Sequence, residues 1–171
     1  NNNVDHCTRL CHASSVAALL EGIGSAAVTA PFTAALDADV VLVVGANPVE
    51  NHPVAATYFR NAAQFGATLI VLDPRRTELS RGATHALHFK PGTDVALLNA
   101  LLFVIIEEGL YDRRFVDTYT EGFDALQTHI REFPPGRMAA ICGIEAATLR
   151  TVARKYATAH RSMILWGMGI S

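Results

Sequence analysis

Short runs of aliphatic residues closed by turn-formers alternate along this chain with longer amphipathic stretches, and that alternation predicts an α/β protein. Val40-Val41-Leu42-Val43-Val44 is entered from Asp39, closed by Gly45 and apolar at every position, the profile of a strand covered on both faces of a parallel sheet. Pro53 stands where a helix tolerates proline, Val54 to Phe65 follows, and Gly66 is the stop. Thr68-Leu69-Ile70-Val71-Leu72 then repeats the strand profile. Strand, helix and strand at this spacing make a βαβ unit, whose crossover is parallel and right-handed.

The flanks extend the pattern. Upstream, a helix opening at Ser14 or Ser15 carries Val16 to Leu20 and ends at Gly22 and Gly24, a loop runs to Thr29, and Pro31 to Leu36 reads as a short helix. Downstream, Asp73-Pro74-Arg75-Arg76 is a loop, Thr77 to Arg81 a short helix, and Ala86-Leu87-His88-Phe89 a third strand. Pro91-Gly92-Thr93-Asp94 turns the chain into a long helix, Asp94 to Glu108, with Thr93 as its N-cap and Gly109 as its stop. Helices at Asp112 to Tyr119, Phe123 to Glu132 and Glu145 to His160 precede a strand at Met163 to Trp166, and Phe133-Pro134-Pro135-Gly136 is a local loop among them. The order predicts one α/β domain over residues 1–171, a Rossmann-like open and mainly parallel sheet flanked by helices.

Composition narrows the partners. Of 171 residues half are hydrophobic and 18% are charged, enough apolar material for one ordinary core. A net charge of −2 without a Lys/Arg cluster argues against nucleic acid and anionic membranes as partners. The longest apolar stretch, Val95 to Ile106, contains Asn99 and falls short of the ~20 residues of a membrane helix, so no membrane span is expected. Three cysteines imply no disulfide framework and suit a reducing, cytoplasmic compartment. The chain begins without methionine and stops just after a strand, and it reads as a segment of something longer.

In an open α/β sheet, ligands bind beyond the carboxyl ends of the strands, so four loops form the candidate rim: Gly45 to His52, Asp73 to Arg76, Lys90 to Asp94 and Gly167 to Ser171. Their chemistry suits a nucleotide. Asp73 can bind ribose hydroxyls or base N–H groups, Arg75 and Arg76 can pair with phosphate, and Gly45 and Gly92 permit close backbone approach. The G-x-G-x-x-G of a dinucleotide site is missing, because the first loop reads Gly45-Ala46-Asn47-Pro48-Val49-Glu50-Asn51-His52. That loop offers side-chain hydrogen bonds instead of a glycine cradle. Asp73 and Arg75 as a plain solvated turn, and Glu50 to His52 as caps for the helix at Pro53, are the simpler structural readings.

The reactive pair is Cys11-His12, a thiol and an imidazole just before a helix start, where the positive helix end favours a thiolate. His6-Cys7 with Cys11-His12 also puts four N/S donors within seven residues, although the spacing is tight for a two-arm zinc site. Cys7 and Cys142 read as small buried hydrophobes, Lys90 as a surface charge, and Trp166 as a strand-end aromatic packed under the sheet.

These residues together resemble the molybdopterin oxidoreductase family, and within it the catalytic subunits of formate dehydrogenases, across essentially the whole chain. The carriers are Asn2-Asn3-Val4-Asp5 leading to Cys11-His12-Ala13-Ser14-Ser15-Val16, Gly45-Ala46-Asn47-Pro48 through His52-Pro53, and Asp73-Pro74-Arg75. Gly92-Thr93-Asp94 with Leu97-Leu98-Asn99-Ala100, Tyr119-Thr120-Glu121-Gly122-Phe123 and Trp166-Gly167-Met168-Gly169 complete the set. The resemblance implies that Cys11 ligates molybdenum or tungsten and that His12 is the active-site histidine beside it. It implies a bis-molybdopterin guanine dinucleotide cofactor, with Asn47, Glu50 and Asn51 at pyrophosphate and ribose, Asp73 and Arg75 at the guanosine end, Gly92 and Asp94 at the guanine edge, and Gly45, Gly167 and Met168 in the same loops. It further implies formate as substrate, a 4Fe-4S cluster elsewhere in the parent chain, electron-transfer subunits or domains as partners, and no turnover by the isolated fragment. An assimilatory-type nitrate reductase is the alternative inside the family, and a non-catalytic nucleotide-binding or scaffolding module the alternative outside it.

Overall fold

The structure, a computed structural model, describes residues 2–171. Four parallel strands, β1 (Val40–Val44), β2 (Thr68–Leu72), β3 (His85–Leu87) and β4 (Ser162–Trp166), form one sheet in the order β3-β2-β1-β4. The helices are α1 (Thr8–Cys11), α2 (Ala13–Ile23), α3 (Pro48–Asn51), α4 (Pro53–Gln64), α5 (Asp94–Glu107), α6 (Arg113–Tyr119), α7 (Phe123–Ile130), α8 (Pro135–Cys142) and α9 (Ala146–Thr158). Among the described residues, no helix is long and apolar enough to cross a membrane.

The uniform apolarity of β1 is explained by two cores. Val40, Leu42 and Val44 point to one face, where Ile70 and Leu72 of β2 join Leu97, Ala100 and Val104 of α5, Met138 and Cys142 of α8 and Leu149, Val152 and Ala153 of α9. Val41 and Val43 point to the other face, with Leu69, Val71, Leu79, Ala35 and Ala55, Phe59 and Ala62 of α4. Since strand side chains alternate between faces, a strand between two helical layers must be apolar throughout. All five residues of β1 are buried. α5 is apolar nearly all round because α7, α8 and α9 enclose it.

Several boundaries differ from the sequence reading. The third strand is His85–Leu87 rather than Ala86 to Phe89. The short helices expected after Pro31 and Thr77 are 3-10 turns, Phe32–Asp37 and Leu79–Gly82. α2 continues through Gly22 and ends at Gly24, which takes the left-handed conformation (φ +71°). Thr93 precedes α5 but does not cap it: its hydroxyl donates backward to the Lys90 carbonyl at 2.6 Å. The expected Phe133-Pro134-Pro135-Gly136 loop holds only in its first half: residues 131–134 separate α7 from α8, and Pro135 and Gly136 already belong to α8. Pro135 stands in the first turn, where its missing N–H is not needed.

Lys90 and Cys142 find their places through α8. Lys90 Nζ donates to the Ala140 carbonyl at 3.2 Å and its backbone N–H to the Cys142 carbonyl at 2.9 Å, both at the carbonyl-rich end of that helix. Cys142 is fully buried in the α5/α8/α9 core.

Candidate functional site

Moving from β1 to β2 to β3 steps the chain one way across the sheet, and β4 then lies on the other side of β1. The strand order therefore reverses at β1, and the crevice expected at such a switch point lies at the carboxyl end of the sheet. A cleft of about 670 Å³ lies there. Gly45, Ala46, Asn47, Pro48, Asn51 and His52 line it after β1, Asp73, Pro74 and Arg75 after β2, Pro91, Gly92 and Asp94 after β3, and Gly167, Met168 and Gly169 after β4. Val43, Phe59, Leu165, Trp166, Phe32 and Phe89 supply its apolar lining, and His12 reaches it from the other end of the sequence.

All of the candidate residues except Cys11, Glu50 and the exposed Arg76 lie on the wall of this cleft. Cys11 adjoins it through Met168, with its Sγ 3.1 Å from the Met168 Sδ. Glu50 is exposed on α3, off the wall. Phe32, whose ring is tilted 53° to that of His52 with centroids 5.6 Å apart, is a lining residue that no local pattern announced, whereas His52 belongs to the expected rim.

The crevice is tight because two loops meet backbone to backbone. Gly169 N–H donates to the Gly45 carbonyl at 2.9 Å, and Gly45 itself has φ +55°. An added Cβ on Gly167 would stand 2.9 Å from Ala46 Cβ and from Gly45 O, closer than folded proteins tolerate.

Two polar side chains are buried at the cleft. Asn47 is 8% exposed, and its Oδ1 has no hydrogen-bond partner among the described residues. A buried acceptor left unpaired is costly, so this atom is poised for a donor from a ligand. Asp73 is 2% exposed, which rules out the plain solvated turn. Its Oδ1 accepts from Arg75 N–H at 2.8 Å and from Arg75 Nε at 3.3 Å, while the guanidinium remains largely exposed. His88 Nδ1 lies 3.1 Å from the Asp73 carbonyl oxygen.

The thiol environment differs from the sequence reading. Cys11 is the last residue of α1, and His12 stands between α1 and α2. The thiol thus sits at the carbonyl end of one short helix as well as before the amide end of the next. Desolvation, and then the neighbouring Cys7 thiol, push the Cys11 thiol above its ordinary value. Metals bind cysteine as the thiolate, so a metal held at Cys11 takes the place of the thiol proton. Among the described residues no three His, Cys, Asp or Glu side chains converge on one point. A metal held at Cys11 would take its remaining ligands from outside this set.

The residues fit a pterin cofactor on three counts: the crevice lies at the switch point of the sheet, one buried polar atom of its wall, Asn47 Oδ1, is unpaired, and a soft sulfur adjoins the cleft. Fold and site thus define an α/β domain with a ligand crevice at the carboxyl end of its parallel sheet. The chain belongs to the molybdopterin oxidoreductase family, whose model matches residues 1–171. That membership carries a molybdenum or tungsten pterin cofactor.

The chain is similar to formate dehydrogenase H of Escherichia coli K12, with 42% identity over 170 residues, covering 99% of this chain and 24% of the relative. A nitrate reductase of Symbiobacterium thermophilum is 35% identical over 181 residues, covering 99% of this chain and 24% of the relative. Among solved structures, acetylene hydratase of Pelobacter acetylenicus superimposes with a TM-score of 0.85 at 33% identity, over 95% of this chain and 22% of that one. The chain spans about a quarter of the length of these relatives.

Proposed function

We propose that this chain is the metal-ligating, pterin-binding domain of a formate dehydrogenase, in which formate is oxidised to CO2 and two electrons pass to a 4Fe-4S cluster held elsewhere in the parent protein. The observation that carries the reading is the joining of Cys11 and His12 to the cleft: His12 forms part of its wall and Cys11 Sγ touches Met168 at its edge. Formate is favoured over nitrate by the histidine that directly follows the cysteine, and by the higher identity to the formate enzyme.

When bound, a bis-molybdopterin guanine dinucleotide carrying molybdenum or tungsten would supply the two-electron redox centre. Cys11 Sγ would ligate the metal as a thiolate. Asn47 and Asn51, with Glu50 beside them, would meet pyrophosphate and ribose, Asp73 and Arg75 the guanosine end, and Gly92 and Asp94 the guanine edge. The unpartnered Oδ1 of Asn47 and the second, unbonded carboxylate oxygen of Asp73 support acceptor roles toward hydroxyl or N–H groups. Electron-transfer subunits or domains would complete the path.

The test is formate-dependent dye reduction by the full-length enzyme, wild type against Cys11→Ser, at matched metal content. Activity in the wild type and its loss in the variant support the reading. A folded, metal-replete wild type that oxidises no formate but reduces nitrate makes nitrate reductase the correct reading, and a chain that purifies without metal or pterin makes it a non-catalytic module.

A further inference from the structure

The loop after β4 reaches back to α2 through three hydrogen bonds that connect opposite ends of the chain. Trp166 Nε1 donates to Ser15 Oγ at 3.0 Å, Ser15 Oγ and Ser171 Oγ are 2.7 Å apart, and Ser171 Oγ is 2.8 Å from His12 Nδ1. All four side chains are partly buried.

Only the Trp166 bond has a direction fixed by its atoms, and one arrangement of the other two gives every proton a protein acceptor. An indole N–H only donates, so Ser15 Oγ accepts from Trp166. The Ser15 hydroxyl then has its own proton to place, and Ser171 Oγ is its acceptor among the described residues. The usual helical alternative is a bond back to the carbonyl four residues earlier. Thr128, Thr151 and Thr158 make it, whereas Ser15 does not. In that arrangement Ser171 accepts from Ser15 and donates to Nδ1 of His12. A nitrogen that accepts in a neutral imidazole carries no hydrogen, so the proton of the ring is on Nε2. His12 lines the cleft, and its Nε2 has no protein partner among the described residues.

We propose that Ser171, backed by Ser15 and Trp166, is a positioning residue that holds His12 as the Nε2–H tautomer, so that the ring offers the cleft a hydrogen-bond donor for a carboxylate and not a base. The inference rests on the formate reading of the site and decides between two uses of His12 within it. A ring already protonated at Nε2 cannot take a substrate proton there, but it can hold one oxygen of formate in a charge-assisted hydrogen bond. His12 therefore orients the substrate.

The test labels histidine with 15N in the full-length enzyme that carries this domain, in buffer alkaline enough to keep imidazoles neutral. His12 is identified by the signals lost in His12→Gln. The expected result is a protonated Nε2 and an accepting Nδ1 in the wild type, a tautomer mixture in Ser171→Ala, and restoration in Ser171→Thr, which keeps the hydroxyl. Ser15→Ala, on a helix with no buried residues, breaks the same chain independently and gives the same mixture. At matched metal and pterin content, kcat for formate falls about tenfold in Ser171→Ala and recovers in Ser171→Thr. A protonated Nδ1 in the wild type, or an unchanged tautomer in both alanine variants, overturns the inference. Absence of formate oxidation with the Nε2–H signal intact overturns the formate reading alone and leaves the tautomer assignment standing.

Discussion

Gly169 and Gly45 are packed so closely that a Cβ on Gly169 would stand 2.7 Å from the Gly45 Cα. This contact fixes the spacing of the loops after β1 and β4, and with it the width of the crevice. Gly169→Ala must push the loops apart, at a cost of about 1–3 kcal/mol by the usual penalty for overpacking. The expected outcome is a lowered Tm and a full-length enzyme that purifies with little pterin, read from the fluorescence of its oxidised pterin. Normal pterin content in a stable Gly169→Ala variant would show that the crevice tolerates widening.

Asn47 is predicted to serve the ligand and not the fold. Its Oδ1 is buried without a partner, so Asn47→Ala removes an atom that contributes little to the empty protein, within about 1 kcal/mol. The loaded protein should lose more. Thermal unfolding of cofactor-free and cofactor-loaded full-length protein measures this directly: the Tm gap between the two forms shrinks in Asn47→Ala. A large loss confined to the cofactor-free form would mean that Asn47 is structural.

Lys90 separates a structural role from a phosphate-binding one. Its ammonium is spent on the Ala140 carbonyl at the end of α8, and its stem lies against Gly143. Lys90→Met keeps the stem and loses the donor, which should lower stability by about 0.5–1 kcal/mol and leave cofactor content unchanged. Urea unfolding and a pterin assay together check both halves.

The ion pair of α5 and α9 gives a pH signature. Arg154 donates from Nε and Nη2 to the two carboxylate oxygens of Glu108, at 2.7 and 2.8 Å, and this holds the Glu108 carboxyl below its ordinary value. A carboxyl whose pKa is depressed by folding stabilises the native state above its unfolded pKa, and the contribution disappears as pH falls through the folded one. Glu108→Gln should therefore lower Tm at neutral pH, with the difference from wild type closing as the solution is acidified below the carboxylate range. A difference that is constant with pH would assign the effect to packing. The pair is partly solvated, so added salt should also reduce it.

Much of the fold was legible because its signals are local. β1 is apolar at every position and β2 at every position after Thr68, which only a strand between two helical layers sustains, and their burial follows from that. Pro53 and Gly66 mark the ends of α4 by their own backbone restrictions. Where two signals competed, the local reading was less secure. Pro134-Pro135-Gly136 looks like a loop until the tertiary structure gives Met138 and Cys142 a core to enter, and burial then outweighs the poor helix propensity of the run.

The sequence by itself determined which loops would carry the site, since a parallel sheet exposes its carboxyl ends and the polar residues stand just after each strand. It also determined the reactive pair, because Cys11 and His12 are adjacent in the chain. Only the tertiary structure decided what these residues touch. Met168 meets Cys11 across 157 positions and Ser171 meets His12 across 159, Phe32 covers His52, and Glu50 turns away from the cleft. The contacts of Met168 and Ser171 depend on β4 lying beside β1 rather than beside β3. No local periodicity encodes that choice, which is made by how all the apolar faces are buried at once.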